Sequence, residues 1–491
     1  MPERVPIARY ALPILLLLVL WSSRLAALDA LPLHNDEGLH LRRAVEVWNG
    51  NPFWQINDGK IVNSWLIAAF YPQFAPVFAG RIATVLVAMA GLAAGYALVR
   101  SCFGTGAALI AGGLWIASPY LYFYERLAFS DAQAGALVVV VLWASLRLAR
   151  TGRTTDALLT GAALALAALF KVTAAPYALS VALVVLMLGQ APLHRRMGWL
   201  VLMAGVVALA FAGPMLVMIL RGGGLFDIAL GWIGAGAGGQ PPDPVDNLRR
   251  LADLLVSFGG PLVIAALIIG LLALLLRRDG RILVLAAVLP FAIMVVFGRE
   301  VMPRHYVVAL PLWLVLSGAG IGLLIEALPA RLRAPVTATT LAALALGFAP
   351  VVLTADHPAD AALPAAVRAE HFTDHSAGTG LREAMRDLPA QIEPGIPVIA
   401  SMFPDSCRRA NFYAEGATLT CTDAPGMQVI SEALQQQGRV YVLTDFAPII
   451  GIDAQALAAS LGAQAERIAG YPRPSETEDS ASVILWKLEL R

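Results

Sequence analysis

Trp199-Leu-Val-Leu-Met-Ala-Gly-Val-Val-Ala-Leu-Ala-Phe-Ala-Gly-Pro-Met-Leu-Val-Met-Ile-Leu220 runs for 22 residues without a charged side chain. As a helix rising about 1.5 Å per residue it would be roughly 33 Å long, enough to cross the hydrocarbon of a bilayer. It is preceded by His194-Arg195-Arg196 and followed by Arg221 and Gly222-Gly-Gly224. Comparable apolar runs lie at 8–29, 76–98, 105–123, 132–149, 157–170, 172–190, 197–220, 259–276, 282–298, 306–326 and 335–353. Composition agrees: 58% of residues are hydrophobic and 14% charged. A soluble domain carries about a quarter charged residues, so the pattern is that of an integral membrane protein. A formal net charge of +1, with no long basic run, argues against a nucleic-acid partner.

The connections between the runs alternate in charge. Arg4/Arg9, Arg100, Arg147/Arg150/Arg153, His194-Arg195-Arg196, Arg277/Arg278/Arg281 and Arg331/Arg333 all fall on every second one. Short basic connections stay in the cytoplasm. The expectation is therefore about eleven transmembrane helices with the N-terminus inside. Loop 30–75, Tyr124–Asp131, Lys171, loop 221–258, Gly298–His305 and the chain beyond about 354 then lie outside. The first run is read as an uncleaved anchor, because no small-x-small cleavage pattern precedes Asp36.

From about 354 the composition turns polar. Short β-type runs at Pro397–Ser401, Arg439–Thr444 and Ser482–Leu488 alternate with helical patterns near Gly380–Leu388, Gln428–Gln437 and Asp453–Leu461. That interleaving predicts a small soluble α/β domain over 354–491, following a transmembrane domain over 1–353. Of the three cysteines, Cys102 is alone at a cytoplasmic end, whereas Cys407 and Cys421 share the external domain, where a disulfide can persist.

The charged residues at the outer ends of the runs are the candidates for chemistry. Asp36-Glu37 lies in Leu31-Pro-Leu-His-Asn-Asp-Glu-Gly-Leu-His-Leu-Arg-Arg43, just past the first run. Two carboxylates there suit deprotonation of a hydroxyl or binding of a cation. A bland reading makes Asn35 or Asp36 the cap of a surface helix reaching Trp48, with Glu37 favouring its first turn. His34, Asp36, Glu37 and His40 do not match His-Glu-x-x-His, so no metal site is expected. Glu125, Arg126 and Asp131 sit on one outer connection, either as a local ion-pair knot or as functional groups. Lys171 ends another run and could simply snorkel to the interface. Arg299, Arg304, His305 and Tyr306 put cations on the side the charge rule disfavours, and a bound anion is the natural reason. Gly222-Gly-Gly224 and Gly234–Gly239 lack the Lys-Ser/Thr ending of a phosphate loop, leaving a flexible connection or a lid.

Together these motifs resemble the GT-C class of membrane glycosyltransferases, and within it the protein O-mannosyltransferases, the lipid A aminoarabinose transferases and the bacterial family-39-like enzymes. The resemblance is carried by Asp36-Glu37 in the first external loop, Arg126-Leu-Ala-Phe-Ser-Asp131, Lys171-Val-Thr173, and Arg304-His-Tyr306 with Pro311. It covers roughly residues 8–350. Two positions depart from the family pattern: His40 stands for the usual tyrosine, and Lys60-Ile-Val-Asn-Ser-Trp65 for the usual Pro-Pro-containing stretch. The resemblance implies transfer of one sugar from a polyprenyl-phosphate donor to an acceptor hydroxyl (on glycan, lipid or protein) at the outer face, with inversion. Asp36 would be the base, with Glu37 beside it as the second catalytic residue. Lys60, Arg126, Asp131, Lys171, Arg304, His305 and Tyr306 would bind substrate, with no obligatory metal or other cofactor. A transporter of polyprenyl-linked glycans and a non-catalytic scaffold are the rival readings. No inverted repeat supports the first.

Overall fold

The computed structural model describes residues 8–70, 74–224, 227, 242–298, 301–421, 427–445 and 453–490. Arg4, Arg299, Gly234–Gly239 and Pro241 therefore lie outside the described residues, as does most of any lid in loop 221–258. Contacts divide the chain into two compact units. One comprises Met1–Leu28, Glu46–Phe70 and Ala79–Asp356; the other comprises Asp29–Val45, Tyr71–Phe78 and His357–Arg491.

The first unit is helical. Each of the eleven apolar runs is helical over most of its length. Five helices are long and apolar enough to cross a membrane: Pro76–Ala117, Ser130–Thr151, Leu193–Leu220, Arg278–Phe297 and Ala330–Leu353. Five shorter apolar helices accompany them. The runs 76–98 and 105–123 meet at Gly104, whose φ of 85° breaks the helical course of Pro76–Ala117. That left-handed backbone suits a residue without Cβ.

Among apolar helices, close approach rather than water exclusion drives association, so small residues mark the contacts. Gly318 and Gly322, one turn apart in the helix Leu310–Glu326, face Ala111 and Ala107. A Cβ at Gly318 would fall 2.6 Å from the Ala111 Cβ.

Several buried charges in this unit have partners among the described residues. Arg24 donates from Nε to Glu125 at 2.9 Å, and the Trp115 indole donates to the other Glu125 oxygen at 2.6 Å. Arg126 donates to the Ala26 and Ala27 carbonyls at 2.5 and 2.7 Å, closing the turn that ends the Ala8–Leu25 helix. Of the two readings of Glu125, Arg126 and Asp131, the local ion-pair knot is not formed: Glu125 and Arg126 take partners distant in sequence.

The second unit holds a four-stranded sheet of order β1-β2-β4-β3. β1 (Val398–Ser401) pairs parallel with β2 (Arg439–Asp445), which is antiparallel to β4 (Val483–Leu490), itself antiparallel to β3 (Ala463–Tyr471). Helices Leu381–Gln391, Met427–Gln437 and Ala454–Ser460 accompany it, close to the predicted positions. Strand β3 was not expected. Its Ala-Gln-Ala-Glu-Arg start is poor in β-branched and aromatic residues, and a register shift between Arg467 and Ala469 spoils the alternation. Leu381, Met385, Leu388, Leu443, Val483 and Leu485 form its main core. Cys407 and Cys421 are joined in a disulfide.

Candidate functional site

Asp131 and Lys171 meet because the helices that carry them form a hairpin. Ser130–Thr151 and Thr154–Phe170 run back to back, so the first turn of one adjoins the residue after the last turn of the other. Each charge also lies at the helix end whose dipole favours it, the carboxylate at an N-terminus and the ammonium at a C-terminus. Lys171 Nζ donates to Asp131 Oδ1, and both side chains are buried.

Three further predicted residues join them. Arg304 and His305 lie on the single turn Pro303–Val308, held by a hydrogen bond from the Tyr120 hydroxyl to the Pro303 carbonyl. The Arg304 guanidinium stands 5.4 Å from the Phe129 ring centre. Lys60 is brought in by its own loop: Ile61 N–H donates to the Leu169 carbonyl at 3.0 Å, and Ile56, Ile61 and Leu169 share an apolar cluster. Asp131 lies within electrostatic reach of Lys171 and Arg304, with His305 beside it, and Lys171 within reach of Lys60 and Arg304. Lys60 also pairs with Asp58 at 3.2 Å. Among the named groups cations outnumber carboxylates, an arrangement suited to an anion.

Sequence reasoning missed the neutral groups beside these charges. Asn63 Oδ1, Ser64 Oγ, Ser130 Oγ and Thr173 Oγ1 are buried atoms without a hydrogen-bond partner among the described residues. They flank Lys60, Asp131 and Lys171 in the chain. Buried polar atoms are normally paired, so each of these four can take a further hydrogen bond.

Two further expected binding residues, Arg126 and Tyr306, make contacts within the protein. Arg126 is engaged with the Ala26 and Ala27 carbonyls and with the Tyr122 ring, 4.7 Å from its guanidinium carbon. The Tyr306 hydroxyl donates to the Asn247 carbonyl at 2.6 Å, and its ring lies 5.9 Å from that of Phe291. His305 Nδ1 accepts from the Met302 N–H at 3.2 Å.

Asp36 and Glu37 belong to the second unit, at the start of the helix Asn35–Trp48. Neither Asn35 nor Asp36 supplies the cap. His34 Nδ1 accepts from the Asp36 N–H at 3.1 Å, while Glu37 Oε2 accepts from the His34 N–H at 3.1 Å. The exchange is reciprocal, with His34 doing what serine or threonine does in a capping box. Because Nδ1 accepts, the proton of a neutral His34 ring sits on Nε2, 3.7 Å from Glu370. Glu37 is buried and committed to this cap, whereas Asp36 is half-buried. Of the two acids, Asp36 is the more exposed. Among the described residues, no three His, Cys, Asp or Glu side chains gather as a metal site would require.

The architecture has known counterparts. The crystal structure of ArnT from Cupriavidus metallidurans bound to undecaprenyl phosphate superposes with a TM-score of 0.65, at 15% identity, covering 96% of this chain and 97% of that one. The apo structure of the same enzyme gives 0.68 at 14% identity with the same coverage. At such identity the likeness shows a shared fold and nothing narrower. Residues 58–218 match the family of dolichyl-phosphate-mannose-protein mannosyltransferases, a stretch that includes Lys60, Asp131 and Lys171. No curated protein matches the sequence.

Proposed function

We propose that this protein is a glycosyltransferase that moves a single sugar from a polyprenyl-phosphate donor to an acceptor hydroxyl at the outer face of the membrane. The observation that carries this reading is the buried Asp131–Lys171 pair, within electrostatic reach of Arg304 and, through Lys171, Lys60. The pair lies at the ends of apolar helices, and both its members and Lys60 fall in the stretch that matches the mannosyltransferase family. A lipid-linked donor keeps its phosphate at that depth, and fixed cations there stabilise the charge that grows as the carrier leaves.

In this reading Asp36 takes the proton of the acceptor hydroxyl. The acceptor oxygen bonds to the anomeric carbon as its bond to the phosphate oxygen breaks, and polyprenyl phosphate departs. One displacement inverts the anomeric centre. Lys171, Arg304 and Lys60 hold the phosphate, and Asp131 orients Lys171 and the sugar. Glu37 acts by fixing the helix turn that carries Asp36. The alternating arginines support a cytoplasmic N-terminus, and the Cys407–Cys421 disulfide supports an extracytoplasmic C-terminal domain.

The test incubates the purified full chain with a panel of polyprenyl-phosphate sugars, with and without chelator, and follows release of carrier phosphate. Asp36→Asn should keep the fold and lower release by about 10²–10⁴-fold. A transporter moves the lipid without releasing phosphate, and a scaffold is indifferent to the substitution. Either result ends the enzyme reading.

A further inference from the structure

The segment that carries the acid pair is held by the C-terminal part of the chain, through contacts within one compact unit. Arg382 donates to the Ala30 carbonyl at 2.6 Å, and the Tyr413 hydroxyl accepts from the Leu33 N–H at 2.6 Å. Asn35 N–H donates to the Ser376 carbonyl at 3.1 Å, and Ser406 Oγ donates to Asn35 Oδ1 at 3.1 Å. At the centre is Arg409, fully buried, whose Nη1 donates to the Leu33 carbonyl at 3.1 Å and to the Ser376 carbonyl at 2.5 Å. Gly38, one residue past Glu37, packs so closely on Arg409 that a Cβ there would lie 2.7 Å from the Arg409 Cβ. No other residue type fits that approach without movement.

Arg409 is itself rigidly mounted. It lies on the helix Pro404–Ala410, two residues from Cys407, whose disulfide partner Cys421 follows Thr420. Thr420 extends the sheet beside β1: its N–H donates to the Val398 carbonyl at 2.8 Å, and its carbonyl accepts from the Ala400 N–H at 3.0 Å. Sheet, disulfide, short helix and guanidinium thus form one continuous support ending at Leu33. The charge environment is consistent with this. Arg409 faces Asp445, Tyr413, Arg473 and Glu37, and burial pushes its guanidinium down to about 10, still fully protonated at neutral pH. Glu37 is a buried carboxylate, and such a group is tolerated only with a cation near it.

We propose that Arg409, with Ser406 and Tyr413, is a positioning residue for Asp36, so that the C-terminal α/β domain is part of the catalytic apparatus rather than an appendage. This rests on the reading of Asp36 as the base. The guanidinium fork fixes the Leu33 carbonyl, and its charge holds Glu37 in the His34 cap, which in turn orients the first turn of the helix bearing Asp36. Displacement of a base by about 1 Å can cost about 10²-fold in rate.

The test uses the full chain and whichever polyprenyl-phosphate sugar of the panel the parent turns over. Ser406→Ala/Tyr413→Phe removes the hydroxyls that bond Asn35, Arg409 and Leu33 and little volume, so the domain folds. It should lower kcat about tenfold or more while leaving the donor KM and the melting temperature near those of the parent. Arg409→Gln should lower kcat at least as far, because the bonds to the Leu33 and Ser376 carbonyls go. Arg409→Lys should restore only part of the rate, a point charge being unable to replace the fork. A purely structural role would lower the yield of folded protein and leave kcat per folded molecule unchanged, overturning the proposal. Parental kcat in Ser406→Ala/Tyr413→Phe alongside a silent Asp36→Asn overturns the positioning role alone. Full activity in Asp36→Asn overturns both.

Discussion

Lys171 and Asp131, 40 positions apart, form a buried ion pair at the adjoining ends of two antiparallel helices. Removing one member strands the other charge, which costs about 3–5 kcal/mol. Lys171→Met should therefore lower the melting temperature markedly in detergent. Asp131→Leu/Lys171→Met should recover most of that loss, since exchange of a buried pair for packed hydrophobic residues is often neutral or stabilising. Carrier release should stay absent in the double variant if Lys171 holds the phosphate. Recovery of activity together with stability would assign the pair to architecture alone.

The Cys407–Cys421 bond closes a loop with a sequence separation of 14. In the chain-entropy account a loop of that size is worth about 3 kcal/mol. The native protein should show one free thiol, that of Cys102, and three after unfolding in reductant. Cys407→Ser/Cys421→Ser should unfold the C-terminal domain at lower denaturant. A native count of three free thiols refutes the bond.

How much of this was legible depends on distance along the chain and on contrast with surroundings. Asp131, Lys171 and Arg304 stood out because a charge at the end of an apolar run requires a partner or a task. Their helical context followed from hydropathy alone. Arg409 carried no such signal: it lies in a polar segment where arginine is ordinary, and it meets Leu33 at a separation of 376. The His34 cap was hidden because histidine is not a usual N-cap, and Asn35 and Asp36 beside it are. The carbonyl partners of Arg126 were not legible, because nothing in the sequence tells a guanidinium bonded to carbonyls at a helix end from one facing a ligand.

Helix contact in the first unit makes a separate prediction. Gly318 lies against the Ala111 backbone, so Gly318→Ala must push the Leu310–Glu326 helix away from Pro76–Ala117. Overpacking of this kind typically costs about 1–3 kcal/mol. Gly205→Ala, in the Leu193–Leu220 helix with nothing within 4 Å of the added carbon, should be neutral or slightly stabilising. Thermal unfolding of the two variants under one set of conditions decides it, and equal effects would refute the close contact.

Acid should loosen the connection between β3 and β4 at Glu476. Burial pushes this carboxyl up, but the Ser482 hydroxyl and N–H and the Arg473 N–H outweigh it and hold it below the ordinary value of 4.5. The Arg473 and Ser482 N–H groups donate at 2.8 and 3.1 Å. A carboxyl depressed in the folded state binds fewer protons there than in the unfolded chain at the same pH. Its contribution is therefore complete above about 4.5 and is lost as pH falls through the lower, folded value. Amide protection across 473–482, corrected for the intrinsic pH dependence of exchange, should drop between pH 6 and pH 3 in the parent. Glu476→Gln should show weaker protection at pH 6 and little further loss on acidification, because a neutral amide accepts the same bonds less strongly and does not titrate. A parent whose 473–482 protection is flat across that window has its β3–β4 connection held by something other than this carboxylate.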